Sequence, residues 1–250
     1  WMLKPRSEAA AVGIHKVECA DDLWRLLESK GDSRSFFLLE RYLPGEVYHA
    51  DALTCDGRVV FAEGHRCLTP PFNVAHGGGV FATFTLQRGG AEEQELLALN
   101  ERALLGLGME RGASHVEFIR SREDGEFYLL ETAARVGGAH IAEQVEAATG
   151  INLWEEWANL EVDGPGAPYR LPPRRKEYAG LLMTLSRQEQ PNLFSFDAPE
   201  VCFRAPEPWH AGLIVRSPSY ERMLGLVRHY EQRLRSEFAA VMPAPEKAAS

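Results

Sequence analysis

Two glutamates carry the clearest chemistry in the sequence. Glu117 and Glu131 flank Glu123-Asp124-Gly125, and a hairpin over residues 114–132 places them on neighbouring strands. A three-residue loop at 123–125, with Gly125 in the left-handed conformation such loops require, pairs residue 122 with 126 and sets Glu117 across from Glu131. Opposed carboxylates repel and weaken a hairpin. A divalent cation between them reverses the sign of that interaction. Carboxylate oxygens, with the other positions left to phosphate oxygens and water, are what magnesium favours. A two-residue loop at Asp124-Gly125 would instead set Glu117 opposite Thr132, leaving two charges on a solvated face.

Just beyond the second glutamate, Arg135 precedes Gly137-Gly138 and a helix expected over about residues 139–149. Exposed N–H groups at a helix start favour an anion, and glycine admits a ligand closely. The turn at Gly137-Gly138 is therefore a place for an anion, and the plain role for Arg135 beside it is a surface ion pair. His65, His76 and His140 could touch a substrate, but a loop or core role accounts for each. There is no Gly-x-Ser-x-Gly, no Walker lysine loop and no Ser/His/Asp set, so covalent catalysis by the protein is not indicated.

The elements that must position these residues read as follows. Short strands are expected over 12–17 and 36–39, with a helix over 20–30 between them, stopped by Gly31. A hairpin follows over 46–62, turning at Cys55-Asp56-Gly57. Pro70-Pro71 and Gly77-Gly78-Gly79 bracket a loop before a strand over 80–86. The amphipathic helix over 92–107 is the plainest in this half. Asn152 and Glu155 form a capping box for another helix. A Pro/Gly-rich linker over 163–173 leads to strands over 179–185, 201–204 and 212–215, then a last helix beginning at Ser217-Pro218.

In this order the segments resemble the ATP-grasp superfamily. Glu117-Phe118, the hairpin, and Leu130-Glu131-Thr-Ala-Ala-Arg135-Val-Gly137-Gly138 are similar to its signature of an acidic residue, a hairpin, then Glu-x-x-x-Arg with glycines. Leu3-Lys4-Pro5-Arg6 resembles its lysine-bearing strand, residues 7–13 its phosphate-covering loop, and Leu39 to Glu46 its hinge and following strand. The resemblance covers residues 2–155 and lies nearest the carboxylate–amine ligase branch, whose members include biotin-carboxylase-like and amino-acid-ligase-like enzymes. It implies an α+β fold: a mostly antiparallel sheet with flanking helices, plus a small C-terminal α+β segment. The implied units are a remnant of the N-terminal ATP-grasp subdomain at 1–40, the C-terminal subdomain with the metal hairpin at 41–165, a small domain at 174–240 and a disordered tail at 243–250.

The resemblance also implies roles. Glu117 and Glu131 would hold Mg2+, or Mn2+ in its place, against ATP; Lys4 would contact the phosphates. Glu40, Arg41, Tyr42 and Leu43 would meet the adenine, and Glu46 the ribose hydroxyls. Arg135, Gly137 and Gly138 would face the substrate carboxylate and its acyl phosphate, which an amine then attacks. Ala133 stands where the family commonly has Asn, and the loop at 7–13 is poorer in glycine than in many relatives. Two rival readings are a carboxylase- or thiol-ligase-like member and a nucleotide-binding fragment without turnover.

Composition bounds the remainder. The chain of 250 residues has a net charge of −9, which argues against a nucleic-acid partner. It contains no eighteen-residue apolar run, so no membrane span is expected. Scattered Cys19, Cys55, Cys67 and Cys202 fit a reducing cytoplasm better than a disulfide framework. Trp1-Met2-Leu3-Lys4-Pro5-Arg6 reads as the end of a strand with little before it, as in a fragment of a longer polypeptide. An N-terminal domain outside the chain is then expected to complete the site. Small-molecule carboxylate and amine substrates are the expected partners, and a homodimer is compatible with all of this.

Overall fold

The computed structural model describes residues 1–7, 11 and 13–240. Residues 8–10, 12 and 241–250 lie outside the described set. The expected phosphate-covering loop falls largely on them, the first residue of the expected 12–17 strand is one of them, and the expected tail at 243–250 lies wholly among them.

A small antiparallel sheet opens the chain. β1 (Met2–Pro5) lies between β2 (His15–Lys16) and β3 (Phe37–Glu40), with α1 (Ala20–Lys30) and a 3-10 turn joining β2 to β3. α1 ends at Gly31, whose positive φ of 53° closes the helix as its sequence position predicts. Lys4 pairs in register with Leu38.

The main sheet has eight antiparallel strands. They are β4 (Gly45–Cys55), β5 (Arg58–Cys67), β6 (Phe81–Thr85), β7 (Gly112–Ser121), β8 (Phe127–Ala133), β9 (Tyr178–Leu185), β10 (Val201–Arg204) and β11 (His210–Ser217). Their order is β10-β11-β9-β6-β5-β4-β7-β8. β4 and β5 form the expected hairpin, turning at Asp56 and Gly57, both with positive φ. The segment at 174–240, read from sequence as a unit of its own, shares this sheet: β9 pairs directly with β6.

Helices cover both faces. α3 (Ala91–Gly106) and α6 (Tyr220–Glu237) pack on one side; α4 (Ile141–Thr149) and α5 (Leu153–Asp163) pack on the other. Alternation along β4 decides which residue goes where. Tyr48, Ala50 and Ala52 join the cluster under α3, whereas Leu53 and Cys55 lie with the α4–α5 cluster. Gly180 lets α6 approach β9, since a Cβ there would stand 2.1 Å from Val227.

Three details differ from the sequence reading. A short helix, α2 (Pro71–Gly77), occupies the expected loop, because Pro71 sits in the first helical turn where its missing N–H costs nothing. α4 begins at Ile141, after Ala139 and His140 have both taken left-handed conformations. α6 begins at Tyr220: Ser219 accepts from the Arg222 N–H and is the cap, so Pro218 precedes it. Asn152 does cap α5, accepting from Trp154 and Glu155.

Candidate nucleotide and metal site

The register sets Glu117 on β7 opposite Glu131 on β8, by a route the sequence did not disclose. The hairpin loop holds four residues, 122–125, with the Ser121 N–H donating to Glu126 O at 2.9 Å. Arg120 then pairs with Phe127 and Phe118 with Leu129, a register that alone would bring Leu130 opposite Glu117. A β-bulge between these pairs takes up Leu130 and returns Glu131 to Glu117. Gly125 has the positive φ expected of it.

Lys4 reaches this bulge. Its ammonium donates to the Leu130 carbonyl at 3.3 Å and pairs with Glu40 Oε1 at 2.8 Å, tying β1 and β3 to the hairpin. Burial, and then the Glu117 charge, push the Glu131 carboxyl above its ordinary range, with Lys4 pulling the other way. Burial also pushes Glu117 up, but the His115 hydrogen bond and charge hold it below the usual value. Two opposed carboxylates, one raised by the other, form an oxygen-donor set that a hard divalent cation fits.

The remaining expected residues are placed unevenly. Glu40 is at the end of β3 beside Lys4. Arg41 pairs with Glu123 of the hairpin loop, Tyr42 lies under the Lys16 ammonium, and Leu43 is half-buried; together they bridge β3 to β4. Arg135 is exposed and donates to the carbonyl of Val136. Gly137 is buried and Gly138 open, and the Gly138 carbonyl accepts from the Ile141 N–H at the start of α4.

Glu46 is not brought to the site. Alternation on β4 puts it on the face of Tyr48, where it pairs with Arg66 at 2.7 Å, close to Glu92 of α3. Glu117 pairs in register with His49, on the opposite face. A one-residue offset along a strand exchanges the faces.

The sequence reading missed a buried cluster directly beside Glu117. His49 and Asp51 on β4, His65 on β5 and His115 on β7 share one face, because His49 is registered with both His65 and Glu117, and Asp51 with His115. Asp51 accepts from His49 Nδ1 at 2.7 Å and from His115 Nδ1 at 2.9 Å. The available signal was two short patterns, His49-x-Asp51 and His115-x-Glu117, on strands that pair.

No family model matches the chain. It is 25% identical over 167 residues to the L-arginine-specific L-amino acid ligase of Bacillus subtilis, covering 64% of this chain and 40% of that protein. Its structure matches the L-amino acid ligase from Bacillus licheniformis with a TM-score of 0.69 at 18% identity, over 97% of this chain and 63% of that one. The fold is ATP-grasp. A carboxyaminoimidazole ribonucleotide synthase from Aspergillus clavatus, solved with ATP, matches at a TM-score of 0.66 and 14% identity, over 94% of this chain and 63% of that one. The chain thus spans about two-fifths of the curated relative and under two-thirds of these two structures. Among its described residues no helix is long and apolar enough to cross a membrane.

Proposed function

We propose that this chain is the catalytic part of an ATP-dependent carboxylate–amine ligase that works through an acyl phosphate. The observation that carries the reading is the opposed Glu117–Glu131 pair with Lys4 held against the same bulge. The similarity to an L-amino acid ligase supports the choice of carboxylate and amine as substrates.

Glu117 and Glu131 would hold magnesium, or manganese, which supplies positive charge to the phosphate oxygens. Lys4 adds a point charge on the phosphates from the β1 side. Residues 40–43 would offer main-chain groups to the adenine. Arg135, free of any carboxylate partner in the described structure, can swing to the substrate carboxylate as negative charge builds on the transferring group. The catalytic work is positioning and charge stabilisation.

The partial span of its relatives supports a further domain, outside this chain, forming the other wall of the substrate site. Four free cysteines support a cytoplasmic location. The test is hydroxylamine trapping of an acyl phosphate from ATP, magnesium and a panel of amino acids, using the full-length protein, together with amine-dependent ADP release. Hydroxamate formation coupled to ADP release supports the reading; ADP release that depends on bicarbonate or a thiol instead would overturn it.

A further inference from the structure

The cluster at His49, Asp51, His65 and His115 lies inside the sheet-to-α4 layer, and only His115 touches the hairpin, through Glu117. Asp51 and His65 are fully buried, and His49 and His115 nearly so, at 2% and 7% exposure. The rings of His49 and His65 stack at 4.7 Å, and those of His49 and His115 lie 5.2 Å apart.

Hydrogen bonding satisfies only part of this group. Asp51 accepts from two imidazoles, one at each carboxylate oxygen. His65 Nδ1 is 3.7 Å from Asp51 Oδ2, too far for a hydrogen bond, and neither of its ring nitrogens has a partner. A buried imidazole aimed at a carboxylate with both nitrogens unserved requires an explanation.

We propose that His49, Asp51, His65 and His115 bind one divalent transition metal of the zinc class, at a site separate from the Glu117–Glu131 magnesium pair. The ligand atoms of His49, Asp51 and His115 all lie within 4.8 Å of one another; His65 stands outside that trio and approaches it through Nδ1, 3.7 Å from Asp51 Oδ2. Four N and O ligands at about 2.0–2.2 Å suit tetrahedral zinc, which sets neighbouring ligand atoms about 3.3 Å apart. The Nδ1-to-oxygen separations of 2.7, 2.9 and 3.7 Å bracket that spacing; His65, stacked at 11° on His49, must turn its ring out of the stack to complete the shell.

The surroundings are built as for a metal. A ligating histidine ordinarily has its second nitrogen held by a hydrogen-bonding group, often a carboxylate. His49 Nε2 meets the Thr83 hydroxyl at 2.7 Å, and His115 Nε2 faces Glu117 Oε1 at 3.5 Å. Gly137 closes the space from above: a Cβ there would stand 2.8 Å from Asp51 Oδ1 and 3.1 Å from His115 Nδ1. Three nitrogens and one carboxylate select zinc, cobalt or nickel over magnesium.

The test is a titration of the purified, chelator-treated chain with Co2+ in excess magnesium, read by the visible bands of tetrahedral cobalt, with zinc as competitor. One equivalent of tetrahedral Co2+ displaced by zinc is the expected result. Thr83→Val should weaken binding about 10- to 100-fold, His65→Phe should weaken it at least as much, and Glu131→Gln should leave it unchanged. Absence of stoichiometric cobalt and zinc uptake by the folded wild-type chain overturns the proposal without recourse to any variant. So does uptake that Glu131→Gln abolishes while folded Thr83→Val and His65→Phe retain it in full.

Discussion

Leu130, the extra residue of a β-bulge, is what returns Glu131 to a position opposite Glu117, and the Leu130 carbonyl is also where Lys4 docks. One irregular residue thus couples the small sheet to the β7–β8 hairpin. The proposed phosphate lysine and metal carboxylates are held as a unit rather than on independent elements.

Lys4→Met should therefore weaken ATP binding by about tenfold to a hundredfold, the range for losing one charge-assisted contact. Calorimetric titration of ATP in the presence of magnesium measures it. Affinity within twofold of wild type would remove Lys4 from the phosphate site.

Neighbouring glycines should behave oppositely. A Cβ on Gly137 meets Asp51 Oδ1 at 2.8 Å, Ile141 Cγ2 at 2.9 Å and His115 Nδ1 at 3.1 Å, while one on Gly138 meets nothing. Gly137→Ala should destabilise the fold by about 1–3 kcal/mol, and Gly138→Ala should stay within about 0.5 kcal/mol of wild type. Urea midpoints of the two variants check the contrast, which fails if both shift equally.

Much of this organisation could be read from the residues, and the exceptions have physical causes. α1, α3 and the β4–β5 hairpin follow from periodicity and from Asp56-Gly57, which are local signals. The Glu117–Glu131 opposition was reached with a loop one residue too short, and the unforeseen bulge cancelled that error. Bulges answer to packing across the sheet, which no short window contains. The same limit hid the histidine cluster, whose members come from three strands and are separated by up to 66 residues. That Glu46 lies on the face opposite Glu117 was not legible, because its strand was read without its register, and a single step moves a side chain to the other face.

Glu46→Gln should accordingly leave ATP affinity within about twofold, while loosening the Arg66 contact by no more than about 1 kcal/mol, as for a partly exposed pair. ATP titration of this variant decides the point. A loss of tenfold or more would return Glu46 to the nucleotide.

The buried histidines should make the metal-free chain sensitive to alkali. Burial alone would push His115 down, but the Asp51 charge and hydrogen bond, with help from Glu117, carry it up to about 10. A raised folded pKa contributes stability that is complete below the unfolded value of about 6.5 and is lost as pH rises through the folded one. Chelator-treated protein should therefore weaken between about pH 7 and 10, by at most about 1.4 kcal/mol per unit for one proton. His115→Gln should flatten that slope in urea melts taken across the range. An unchanged slope would show that another group carries it.

The most direct test of the account is magnesium-dependent ATP binding by Glu117→Gln and Glu131→Gln, measured with and without the metal. Each variant should lose the increment that magnesium adds to wild-type affinity, while metal-free binding through Lys4 and residues 40–43 persists. If both variants keep the full magnesium increment, the opposed glutamates are not the metal site and the ligase reading drawn from them is contradicted.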